Sequence, residues 1–506
     1  MNYKELTTDQ LLSINTLKGL KAAGYQSKSI KDELRDNLIT KLEKREPTFE
    51  GIWGYEDTVI PDIERAILSK HNMNLLGLRG QAKTRIARQM TELLDEYVPY
   101  IEGSELNDDP MHPITRYGVD TLEEKGDETP IAWLHRADRY AEKLATPDVS
   151  IADLIGDVDP IKAATLKLPY SDERVIHYGL VPRSHRSIFV INELPDLQAR
   201  IQVALFNILQ EGDIQIRGFK LRMPLDIQFV FTANPEDYTN RGSIVTPLKD
   251  RIDSQIITHY PKTRDISKQI TTQEADIKDN QKEKVIINEI AQDLIEQIAI
   301  EARDSEYVDE KSGVSARLTI SAYENLISAA ERRAIINKEK QTYIRISDFV
   351  GVIPAITGKV ELVYEGEQEG AGIVAHNLVG KAVRTMFTDY FTPPDDKSKD
   401  KSENPYKSII GWFGEGYTLD LINDLSVTDY EAGLNAVPGL SDLVKAKHPK
   451  VSKHEHLFLM EFVLHGLAEY SKLSKTALDT GTRFKDLLSS MFSMPDLDNL
   501  TEDDLE

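Results

Sequence analysis

The chain has no cysteine among its 506 residues. That excludes disulfides, thiol nucleophiles and cysteine zinc sites. Positive charge is also scarce: 61 Lys and Arg stand against 84 Asp and Glu, a formal net charge of −23. An anionic surface repels phosphate backbones, so the charge argues against nucleic acid as the main partner, although a local basic pore fits within an acidic total. No apolar run approaches the ~20 residues of a membrane span, so no membrane role is expected. The opening MNYKELTTDQ is polar and lacks the apolar stretch of a secretory signal, which makes the cytoplasm the expected compartment. The length calls for roughly two to four domains with ample buried core.

What the chain does have is a glycine-rich turn between a strand and a helix. Residues 75–85 read LLGLRGQAKTR. An apolar strand end runs into a loop that closes on Lys83 and Thr84, the layout of a P-loop whose backbone N–H groups wrap nucleotide phosphates. Lys83 is expected to reach the β- and γ-phosphates of ATP, and the Thr84 hydroxyl to hold Mg²⁺. Gly77, Gly80, Gln81, Ala82 and Arg85 complete the candidate nucleotide-binding set. Ala82 stands where the strict pattern has glycine. The loop can close around its methyl group if φ there is negative.

Hydrolysis needs a second strand carrying an acid. Ile188, Phe189, Val190 and Ile191 form an apolar run ending in Asn192 and Glu193. Glu193 is placed to orient the attacking water. Asn192 stands where an aspartate would support Mg²⁺; its amide oxygen can accept from a metal-bound water but brings no charge. A second apolar run, 227–232, ends in Ala233-Asn234-Pro235, which puts Asn234 within reach of the γ-phosphate and the water. Arg251 follows in PLKDR, the position of a finger directed at a neighbouring subunit's nucleotide. Arg317 opens a later helix and suits a lid arginine reporting on the phosphates.

Periodicity divides the chain into a helical segment over 1–50, a nucleotide-binding core over 51–262, a mostly helical region over 263–390, a charged linker over 391–405, and a helical module with an acidic tail over 406–506. Within the core, the helix after Thr84 is expected to run to Tyr97. A polar insertion is expected over about 99–147, with some helix near RADRYAEKLA. Residues 213–222, DIQIRGFKLR, alternate around Gly218 as a hairpin should. The run 364–372, YEGEQEGAG, is expected to be a mobile loop. His454 and His456, with His448 and His465, lack the i, i+4 spacing of paired helix ligands and are expected to be solvated or capping. Ser184 and His185 are adjacent, but no acid is placed by sequence to make a triad.

Taken in order, G-x-x-G-x-A-K-T, GLVPRSHRSIFVINEL over 179–194, a strand ending A-N-P, and L-K-D-R resemble the AAA+ ATPases of the MoxR and magnesium-chelatase I-subunit group. In that group A-K-T is a common loop ending. LIGDVDP over 154–160 resembles its G-T-L-D segment, and Ser187 replaces a usual glycine. The resemblance covers roughly 50–390. It implies an α/β P-loop AAA+ αβα core with a helical lid, here followed by an additional C-terminal helical module. It also implies ATP and Mg²⁺ as ligands, a homo-oligomeric ring, commonly a hexamer, and a protein partner with a von Willebrand A-type domain. The expected function is a ring ATPase that remodels or activates a protein. The alternatives are a DNA-associated AAA+ motor, and a nucleotide-binding scaffold with weak turnover because of Asn192.

Overall fold

The apolar runs pair side by side. The computed structural model describes residues 3, 6–169, 172–211, 214, 216, 223–235, 243–395, 404–478 and 480–487. It divides into two compact units, Met1–Tyr260 and Pro261–Glu506.

The strands of the first unit are β1 (Met73–Leu76), β2 (Tyr97–Ile101), β3 (Ile131–His135), β4 (Tyr140–Leu144), β5 (Gly156–Val158), β6 (Ile176–Tyr178), β7 (Ser187–Asn192), β8 (Ile227–Ala233) and β9 (Ser254–Ile257). Five of them make one parallel sheet in the order β4-β7-β8-β1-β9. Side chains alternate between the two faces of a strand, and the two central strands show it plainly. Ile188, Val190 and Val230 pack with the helices Ile30–Lys44, Val59–Leu68 and Lys83–Gln89 on one face. Phe189, Ile191, Phe229 and Phe231 pack with helix Ala199–Glu211 on the other. Strands buried on both faces have no polar side to show, which is why these runs read as continuous apolar sequence.

Several expectations change here. The helix after the loop stops at Gln89, continues as a 3-10 turn over Met90–Leu93, and gives way to β2. Pro99 within that segment cannot donate a helical hydrogen bond, and β2 pairs antiparallel with β3 instead. RADRYAEKLA holds a 3-10 turn followed by β4 rather than an α-helix. β4 is an edge strand of the main sheet, so a core element lies within the stretch expected to be an insertion. The segment before residue 50 is built into the same unit. Glu33 of helix Ile30–Lys44 makes a buried bidentate pair with Arg139 at 2.6 and 2.7 Å, and Asp226 accepts from the Ile30 N–H at 2.7 Å. The Asp226 N–H in turn donates to His185 Nδ1 at 3.0 Å. Burial pulls His185 down to about 3 and pushes Asp226 up to about 6, so this joint holds a neutral imidazole.

In the second unit, helices Glu289–Arg303, Arg317–Ile336, Ala371–Tyr390 and Lys453–Glu469 share one hydrophobic core. The expected loop at 364–372 is helical, with helix Tyr364–Glu369 and the next helix separated only by Gly370 at φ +93°. A two-stranded ladder joins β10 (Val285–Ile286) to β11 (Thr342–Tyr343). The region after 405 is not purely helical: β12 (Leu419–Ile422), β13 (Ser474–Leu478) and β14 (Gly481–Lys485) form an antiparallel sheet in the order β12-β14-β13. Short strands of mixed polarity, such as SKTAL, give no clear period to read. Residues on both sides of 396–403 belong to the one core. Fully buried Glu461 joins them, accepting from Ile346 N–H, Ser347 N–H and Tyr430 O–H at 2.8, 2.9 and 2.7 Å. His465, expected at the surface, is buried against the Phe484 ring. His456 meets Ser441 Oγ at 3.0 Å and His448 meets Tyr390 O at 3.0 Å. Most of the expected hairpin at 213–222, the central part of the linker and the acidic tail lie outside the described residues. Among the described residues no helix is long and apolar enough to cross a membrane.

Candidate active site

The loop after β1 is held by close approach. Gly77 N–H donates to Ala233 O at 3.1 Å, and a Cβ on Gly77 would collide with Thr258 Oγ1 and Gln81 Oε1. Those two atoms are themselves hydrogen-bonded at 2.6 Å, so Gln81 braces the loop against the end of β9. The Tyr55 hydroxyl sits 2.7 Å from His259 O and 3.2 Å from Gln81 O, and burial pushes it up to about 12. Gly80 lies at φ +73°. Ala82 corrects its expectation: its φ is +57° and its ψ +13°, a left-handed residue that caps helix Lys83–Gln89. The loop closes through that conformation, which costs a non-glycine residue roughly 1–2 kcal/mol. Among the described residues, the N–H groups of Gly80, Gln81, Ala82 and Thr84 find no protein acceptor. Such backbone donors around a left-handed turn are suited to an anion. Arg85 lies half-buried in the first turn of the helix.

Lys83 is 8% exposed, and its ammonium is already engaged. It donates to Gly77 O, to Leu78 O at 2.9 Å and to Asn234 Oδ1 at 2.7 Å. Asn234 then donates through Nδ2 to Glu193 Oε2 at 2.6 Å. The three candidates from three separate stretches of sequence therefore form one relay: cation, amide, carboxylate. Glu193 sits at φ +57°, a left-handed turn at the end of β7.

A second relay runs beside it. Thr84 Oγ1 donates to Asn192 Oδ1 at 3.3 Å, and Thr232 Oγ1 donates to the same oxygen at 3.2 Å. Thr232 Oγ1 also accepts the Glu193 N–H at 3.2 Å. Thr232 was not among the sequence candidates because it is embedded in an apolar run. Its distance of two residues from Asn234 was the available signal: positions i and i+2 of a strand share a face.

Arg251 makes its contacts outside this cluster. Arg251 lies over the Phe206 ring, 3.7 Å from its centroid, and donates to Pro247 O at 2.9 Å and Gln210 Oε1 at 3.0 Å. It also lies 3.7 Å from Asp250 Oδ2. Arg317 is the first residue of helix Arg317–Ile336, in the second unit. The Ser184 hydroxyl donates to Leu180 O at 2.7 Å, while His185 faces the Asp226 amide. Neither is set up as a nucleophile or its base.

No family model matches the chain. Among solved structures it is similar to a candidate ATPase of Cytophaga hutchinsonii, with 18% identity, 71% of this chain and 97% of that one covered, and a TM-score of 0.28. It is similar to the closed state of Hsp104 with ATPγS and FITC-casein, with 14% identity, 64% and 53% covered, and a TM-score of 0.37. A third similarity is to the complex of BchI and BchD of magnesium chelatase, with 18% identity, 63% and 98% covered, and a TM-score of 0.32. β1, which leads into the glycine-rich loop, is an inner strand of a parallel sheet with helices on both faces, an α/β core, and a mostly helical unit follows it in sequence.

Proposed function

We propose that this protein binds ATP with Mg²⁺ and hydrolyses it, acting as a ring of copies that remodels or activates a protein partner. The observation that carries the reading is the relay from Lys83 through Asn234 to Glu193. A lysine at a P-loop, beside loop amides without acceptors, is suited to phosphate oxygens. A carboxylate joined to it by one amide is placed to orient and deprotonate water at the same phosphate. For the metal, the Thr84 hydroxyl and the Asn192 amide oxygen are hard oxygen donors of the kind Mg²⁺ takes, and they face each other. Thr84 would hold the ion and Asn192 a water on it; the ion would supply charge neutralisation at the phosphates. Lys83 gives up its loop carbonyls to the phosphates, and Asn234 keeps Glu193 pointed at the same place.

Ring assembly is supported by the motif order and by Arg251, whose position after helix Thr246–Lys249 suits a contact to a neighbour's phosphates. In the isolated chain it rests on Phe206 and must leave that ring to act. Arg317 is proposed as a second phosphate-sensing cation. Six copies and a partner bearing a von Willebrand A-type domain are the arrangement the motif resemblance favours. A second reading, a nucleotide-binding scaffold with weak turnover, is favoured by one observation: the metal-side residue Asn192 carries no charge.

The test is hydrolysis by mixed rings. Arg251→Ala and Glu193→Gln should each be inactive alone while still binding ATP. Mixed, they should regain part of the activity, because some interfaces then pair an intact Glu193 with a neighbour's intact Arg251. Mixed rings that form but stay inactive would mean that Arg251 works within its own chain or is structural.

A further inference from the structure

We propose that Thr232 is a positioning residue that fixes which end of the Asn192 side chain faces the metal side of the site; the inference rests on the ATP and Mg²⁺ reading above.

An aspartate at position 192 would offer two equivalent oxygens, so its rotation would not matter. Asparagine has one oxygen and one NH₂ group. Only the oxygen can accept from a metal-bound water; the NH₂ end would present hydrogens to a cation. The orientation of this amide therefore decides whether the site accepts Mg²⁺.

Two hydroxyls hold it. Thr84 and Thr232 both aim their Oγ1 at Asn192 Oδ1, at 3.3 and 3.2 Å. They reach it from different elements, the P-loop helix and β8. Register explains the meeting: β7 and β8 run parallel with Val190 opposite Val230 and Ile191 opposite Phe231. The next pair on the same face as the valines is Asn192 and Thr232. Thr232 is 2% exposed, so water does not compete for its proton. One of its two lone pairs accepts the Glu193 N–H at 3.2 Å, and its single proton goes to Asn192 Oδ1 at 3.2 Å. A hydroxyl held this way is a directed donor, and a directed donor selects the oxygen end of an amide.

Thr84 alone is a weaker selector. Its hydroxyl is exposed to the site and is the group expected to take the ion. Thr232 stays behind the amide whether or not the ion is bound. The same hydroxyl also anchors the left-handed backbone of Glu193, so one side chain serves both members of the strand end.

The experiment is a double-mutant cycle read by calorimetric binding of ATP with and without Mg²⁺. The quantity is the ratio of the two affinities. In the wild type Mg²⁺ should tighten ATP. Thr232→Val, and equally Thr232→Ala, should leave Mg²⁺-free affinity within about twofold and lower the Mg²⁺ enhancement about tenfold, the loss expected for one directed hydrogen bond. Thr232→Ser keeps the hydroxyl and should keep the enhancement. In an Asn192→Asp background, Thr232→Ala should change the enhancement by less than about twofold, because both carboxylate oxygens serve. Unchanged enhancement in Thr232→Ala would overturn the inference. So would an equal loss in the Asn192→Asp background, which would mean that Thr232 acts only through Glu193 or through packing. A wild type that does not bind ATP would instead remove the functional reading itself.

Discussion

The P-loop and the strand end facing it each depart by one residue from the strict nucleotide-site pattern, and the two departures have different costs. At the loop, Ala82 replaces glycine and takes a left-handed backbone at φ +57°. The loop keeps its shape, and the cost falls on folding. At the strand end, Asn192 replaces aspartate and keeps nearly the same outline. Its cost is a missing charge, and that falls on the ligand. The surroundings differ accordingly. Ala82 has no side-chain hydrogen bond to compensate it, whereas the Asn192 oxygen is held by two hydroxyls. A steric departure is absorbed by the backbone, but an electrostatic one calls for neighbours that direct what dipole remains.

The largest effect should come from neither departure but from the cation between them. Lys83→Ala removes the only ammonium in the relay to Asn234 and Glu193. ATP affinity should fall by at least about a hundredfold, in line with a lost charge-assisted contact to phosphate. Near wild-type affinity in a titration of that variant would mean that the loop is not a phosphate site.

Asn192→Asp sharpens the electrostatic side. It should raise the Mg²⁺ dependence of ATP binding by about tenfold, as one opposite charge placed beside the ion, and weaken binding without the metal, because Asp repels bare phosphate. A change of the same sign with and without Mg²⁺ would break the contrast drawn here.

Ala82→Gly tests the steric side and should be the smallest effect. Relief of the left-handed alanine should stabilise the fold by about 1 kcal/mol in chemical denaturation, with ATP affinity little changed. A large change in affinity without a change in stability would show that the methyl group at 82 acts on the nucleotide.

Much of this site was legible in the sequence because its signals are local. The loop residues are contiguous, and β7 and β8 are apolar on both faces, so their ends could be placed and Asn192, Glu193 and Asn234 with them. What stayed hidden depends on neighbours far along the chain. β4 reads YAEKL because it is an edge strand, where Glu142 meets Arg88 of the P-loop helix at 2.7 Å; its charges looked like a helix or a loop. The sign of φ at Ala82 depends on how the loop meets Gln81 and Thr258, which one stretch of sequence cannot show. Thr232 looked like one more β-branched strand residue until Asn192 and Glu193 were brought beside it.

The central claim is that the relay ending in Glu193 performs hydrolysis at the nucleotide Lys83 holds. A single-turnover measurement tests it most directly: load the full-length protein with labelled ATP and Mg²⁺ at a concentration where rings form, remove free nucleotide, and follow the bound label. The account predicts that the wild type converts bound ATP to ADP while Glu193→Gln retains it as ATP. Equal conversion by both proteins, or intact ATP on the wild type, would contradict it.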